Sequence, residues 1–135
     1  MLSIEWENSY CSGILFLDTQ NKHFVETLNL LFEYQDTKPT NASLFHRFQE
    51  VKDYARENFR QEEAFIEQFD PEGLAEHQLQ HFLFLENFKC FCYDVRDGTP
   101  GAAEELSYFI RDWIVFHIAY VDKTLAERIK NMIHI

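Results

Sequence analysis

The stretch Ala75–Phe84, AEHQLQHFLF, places His77 and His81 four residues apart among leucine and phenylalanine. Side chains at i and i+4 share one face of a helix. Phe84, Leu85 and Phe88 continue the same face at helical spacing. Two imidazoles on such a face have two readings. Each can be a hydrogen-bonded core histidine, or the pair can be metal ligands. The rest of the chain has to decide between them.

Outward from this stretch the helical period recurs, interrupted at DTKPTN (36–41), FDPEG (69–73) and RDGTPG (96–101). Each break combines proline or glycine with helix-capping residues. The first helix is expected from Asp18, with Phe24, Leu28, Leu31 and Phe32 on one face. The second is expected from about Ser43 to Gln68, carrying Leu44, Phe45, Phe48, Val51, Ala55, Phe59 and Phe65, with Phe69 at its end. The third starts near Leu74. Thr99 and Pro100 read as N-cap and first helical residue of the fourth, which carries Leu106, Phe109, Ile110 and Trp113. Short connections make consecutive helices antiparallel neighbours. The expected fold is all-α: one domain over residues 1–135, an up-down-up-down four-helix bundle, with residues 1–17 as an N-terminal arm packed on it.

Composition agrees. A chain of 135 residues suits one core, and 46% apolar content with 14 phenylalanines can fill it. Four glycines and three prolines are too few for the turns of an all-β fold. A formal net charge of −11 argues against nucleic acid and anionic membrane as partners. No apolar run approaches the roughly 20 residues that span a bilayer, and the N-terminus has no secretory pattern. A cytoplasmic protein is expected, with Cys11, Cys90 and Cys92 as reduced thiols of structural or incidental role.

Polar residues interrupt the apolar stripes in a consistent place. Asn21 lies near the start of helix one, Asn58 and Glu62 near the end of helix two, His77 and His81 near the start of helix three, and His117 near the end of helix four. In an antiparallel bundle these four ends meet, so the residues fall in one layer of the core. An unpartnered polar group there costs on the order of 1–3 kcal/mol, and a carboxylate more. One carboxylate and three imidazoles in one layer need a common partner, and a metal ion supplies it. His23 points about 200° away from Asn21 and faces solvent. His46 and His134 read as surface residues, and the run DYARENFRQEE as the solvated side of helix two apart from Asn58, Phe59 and Glu62.

With these residues assembled, the sequence resembles the bacterial hemerythrins almost from end to end. IEWENSYCSGILFLDTQ (4–20) is similar to that family's arm and first-helix start. Tyr54, Asn58, Phe59, Glu62 and Glu63 match its second-helix motif, His77 and His81 its third, and Trp113, His117, Ile118 and Asp122 its fourth. The resemblance implies a four-helix bundle with a non-haem di-iron centre. Such a centre binds dioxygen for carriage, storage or sensing by drawing one electron from each of two irons. In a sequence of 135 residues no fused signalling domain is expected. By resemblance, Glu62 and Asp122 are the bridging carboxylates and His77, His81 and His117 the imidazoles on one iron. Five residues from His117, Asp122 lies about 140° round an ideal helix, and reaches the layer only where the helix distorts or ends.

Asn21 and Asn58 depart from the family pattern, which has histidine at both positions as terminal ligands of the other iron. An amide is a weak neutral ligand, and imidazole binds borderline metals far better. Selective loss of one iron is therefore expected: iron, one or two per chain with one favoured, while manganese or zinc also suits three nitrogens and two carboxylates. Phe59, Trp113 and Ile118 are expected to wall the site. The expected partner is dioxygen or another small diatomic ligand. Beyond the metal site there is no catalytic signature, so binding rather than catalysis is expected. The alternatives are a mononuclear metal protein with another gas or redox role, and a purely structural metal.

Overall fold

The structure is a computed structural model and describes residues 2–133. Its described residues form helices and turns, with no strand among them. Helix α1 spans Leu15–Asp36, α2 Asn41–Phe69, α3 Leu74–Arg96 and α4 Ala102–Phe116. A π-helical turn, His117–Asp122, joins α4 to α5 (Lys123–Ile133), so α4 and α5 make one interrupted rod. With that rod as the fourth member, the architecture is an all-α four-helix bundle in which α2 packs on α1 and α3, and α3 on α4.

The expected apolar faces line the core. Phe24, Leu28, Leu31 and Phe32 of α1 pack with Phe48, Phe59, Phe84, Phe88, Leu106 and Ile110 in one cluster. Leu17, Ile66, Leu125, Ala126 and Ile129 form a second, smaller one. Phe69 does not join either: it lies at the last turn of α2 and is exposed. His23 and His46 are exposed, and His46 pairs with Glu50. His134 lies outside the described residues.

Two helix starts differ from expectation. Helix α1 begins at Leu15, three residues before Asp18. The Asp18 side chain instead turns back to the arm and accepts hydrogen bonds from the Ser12 amide and hydroxyl, both at 2.8 Å. The arm is further held by Asn29, which bonds both the amide and the carbonyl of Ile4, and by Lys123 and Lys130, which donate to the Ser9 and Ser12 carbonyls. At the other break, α4 starts at Ala102 rather than Pro100. The preceding residues are consumed in ending α3. Gly98, at φ 73°, donates to the Val95 carbonyl, and Thr99 donates to that of Asp94. This is the paired bonding that closes a helix on a left-handed residue. Thr40 caps α2 from its side chain, accepting from the Ser43 amide at 3.1 Å.

Candidate metal centre

Three elements bring polar side chains to one buried layer. Helix α2 contributes Glu62, α3 contributes His77 and His81, and the π turn contributes His117 and Asp122. All five are buried. The π turn is what admits Asp122. Hydrogen bonding from i to i+5 widens the helical turn by about one residue, so two residues five apart, splayed on an α-helix, face the same way. The distortion that Asp122 required lies between it and His117.

Glu62, His77, His117 and Asp122 each offer one ligand atom, and these atoms lie within 4.8 Å of one another. Glu62 Oε1 is 3.1 Å from His117 Nε2, 3.2 Å from His77 Nε2 and 3.5 Å from His81 Nε2. Asp122 Oδ1 is 3.1 Å from His117 Nε2 and 3.4 Å from His77 Nε2. His81 stands at the edge of the group, with its Nε2 3.4 Å from that of His117. Around one ion with ligands at about 2.1 Å, neighbouring donors sit about 3 Å apart and opposite ones about 4.2 Å. The spacing of the Glu62, His77, His117 and Asp122 donors therefore fits a metal ion.

The layer's electrostatics show how strongly these groups depend on one another. Burial pushes the His117 pKa down, but the facing Asp122 and Glu62 carboxylates outweigh it and raise it to about 10. Burial likewise opposes the charged form of His77, and hydrogen bonding to Asp122 and Glu62 raises it to about 9. Burial would push Glu62 up, yet the charge on His117 and contacts with the three imidazoles hold its carboxyl well below the ordinary range.

Aromatic rings close the layer off. Phe59 lies flat on His81, centroids 3.9 Å apart and planes 3° from parallel. Trp113 stacks on His117 at 4.6 Å. Ile118 is buried in the main apolar cluster.

The two asparagines lie in the same region, and both are buried. They do different things. Asn21 Nδ2 donates to Asp122 Oδ2 at 3.0 Å, occupying the carboxylate oxygen turned away from the histidines. Asn58 Nδ2 donates to Gln20 Oε1 at 3.0 Å. Gln20 in turn donates to Gln61, and Gln61 to Glu57. This amide chain floors a cleft of about 590 Å³ between α1 and α2. Sequence reasoning assigns no role of their own to Gln20, Gln61 and Glu63. For Glu63, which accepts from His81, the signal is its place beside Glu62 on the helix facing His81.

A helical bundle with a buried layer of imidazoles and carboxylates is the class that fold and site define. No protein-family model matches the chain. It is 25% identical over 131 residues to the Bacteriohemerythrin of Pseudomonas paraeruginosa (strain DSM 24068 / PA7), covering 97% of this chain and 84% of that protein. It is 27% identical over 128 residues to a hemerythrin of Sipunculus nudus, covering 95% of this chain and 92% of that one. The protein is hemerythrin-like.

Proposed function

We propose that this chain holds one iron ion between His77, His81, His117, Glu62 and Asp122, and that it binds dioxygen or another small diatomic ligand there for carriage, storage or sensing. The observation that carries the single-ion reading is the hydrogen bond from Asn21 Nδ2 to Asp122 Oδ2. An oxygen engaged by an N–H donor is withdrawn from bridging to a second cation, and an amide N–H presents positive charge where that cation would sit. Asn58 supplies no ligand in compensation, since its amide nitrogen donates to Gln20. Five donors leave one position of an octahedron open, and iron held there supplies a site for a diatomic ligand. The protein's own part is to orient and dry the site. Asn21 holds Asp122, Phe59 and Trp113 cover the imidazoles, and the amide chain closes the α1–α2 side.

Metal analysis of the protein loaded anaerobically with ferrous iron tests this reading. One iron per chain is expected, with most of it lost in His117→Ala. Two irons per chain would refute the single-ion reading, and equal metal in His117→Ala would refute the site. Admitting air to the loaded protein should bring up new visible charge-transfer absorption. Full iron occupancy with no spectral response to dioxygen or nitric oxide would leave the ion a structural role.

A further inference from the structure

The three imidazoles of the layer are not held alike. His117 Nδ1 is buried with no hydrogen-bond partner. His81 Nδ1 meets Glu63 Oε2 at 2.8 Å. The His81 ring also lies flat against Phe59, which favours one orientation of its plane. Glu62 and Glu63 are consecutive on α2 and point about 100° apart. Their carboxylates therefore take the two nitrogens of one imidazole, Glu62 facing Nε2 at 3.5 Å and Glu63 facing Nδ1. The Glu63 side chain is 24% exposed, which is low for a residue in a run of charged neighbours. Among the described residues its ionic contact is with His81 alone.

A carboxylate only accepts hydrogen bonds, so the proton of a neutral ring facing Glu63 must sit on Nδ1. The lone pair is then on Nε2, turned to the layer. We propose that Glu63 is the positioning residue of the centre: it fixes His81 as the Nδ1–H tautomer, so that Nε2 faces inward as an unprotonated donor. The tautomer stands on the hydrogen bond itself. Its consequence for metal rests on the single-ion reading above. A carboxylate behind a ligating imidazole orients the ring and raises its basicity. Since His81 is the imidazole at the edge of the donor group, its donation depends most on being aimed.

The test compares the wild type with Glu63→Gln, which keeps an acceptor oxygen without charge, and Glu63→Leu, which removes the acceptor. Long-range proton–nitrogen correlation spectra of histidine-labelled, metal-free protein at pH 8.5 report the His81 tautomer. Competition of zinc(II) against a chromophoric chelator reports affinity. Nδ1–H is expected in the wild type and in Glu63→Gln, with the other tautomer gaining population in Glu63→Leu. Zinc affinity should fall about 10–100-fold in Glu63→Leu and less in Glu63→Gln. A merely structural role would lower the melting temperature and leave tautomer and affinity alone, which would overturn the proposal. So would Nε2 protonated in the wild type, or an unchanged tautomer in Glu63→Leu. If the wild type takes up no zinc, the metal reading fails, while the tautomer comparison still decides the role of Glu63. If Glu63→Leu does not fold, the wild-type tautomer and the Glu63→Gln affinity remain decisive.

Discussion

Under the proposed single-ion reading, Asn21 and Asn58 stand where two more imidazoles would complete a second metal position, and their amides donate to Asp122 and Gln20. This gives the pair a direct test. Asn21→His combined with Asn58→His should take up a second iron per chain by metal analysis after anaerobic loading. Either single change should do less, because one imidazole and shared carboxylates hold an ion poorly. Packing a larger ring into a filled site costs about 1–3 kcal/mol. Structural metal sites can contribute on the order of 10 kcal/mol, enough to offset that. The cleft beside Asn58 gives Gln20 and Gln61 room to move aside. A folded double variant with no additional iron would show that the asparagines do not stand in for lost ligands.

At the scale of elements, the turn between α3 and α4 illustrates why local signals mislead. Thr99 and Pro100 form a good helix-start pattern by composition, but Gly98 claims Thr99 for the end of the preceding helix. A Cβ on Gly98 would come 2.8 Å from Asn41 Nδ2, and its φ of 73° is the left-handed region. Gly98→Ala should therefore lower unfolding free energy by about 1–2 kcal/mol in chemical denaturation. Metal content should not change, since Gly98 lies at the bundle end away from the layer. Helix existence and apolar faces were legible because burial imposes a 3.6-residue period on many positions at once. The convergence of Glu62, His77 and His117 followed from antiparallel packing alone. Asp122 was legible only through resemblance, because a π turn leaves no periodic trace in five residues. Glu63 was legible as part of the second-helix motif, but its contact with His81 was not, because by periodicity it belongs to the charged side of the helix and only the placement of α3 against α2 brings the two together.

For the whole molecule, the buried layer predicts how stability varies with acidity once metal is removed. His77 and His117 bind protons more tightly when folded, at about 9 and about 10 against an ordinary 6.5. Their stabilisation is complete below 6.5 and disappears as pH rises through those values. Glu62 is held below its ordinary 4.5, so its contribution is present above that pH and lost in acid. Thermal melts with chelator present should show stability highest between about pH 4.5 and 6.5 and declining toward pH 10. With metal bound the alkaline decline should flatten, because ligating imidazoles have already given up their protons. A metal-free protein equally stable at pH 6 and pH 10 would contradict this balance.

The same layer has a consequence for how the molecule is seen from a distance. Near neutral pH the metal-free centre sets two imidazolium charges, on His77 and His117, against the carboxylates of Glu62 and Asp122. A divalent ion that displaces those two protons brings the same positive charge to the same place. Loaded and empty molecules then project the same external field, that of a strongly acidic protein whose formal charge of −11, counted with histidine neutral, is offset by the same two positive charges in either state. They would drift together in an electric field, and a charged partner steered in from solution would meet both at the same rate. Whatever tells the two states apart must touch the surface and feel its shape.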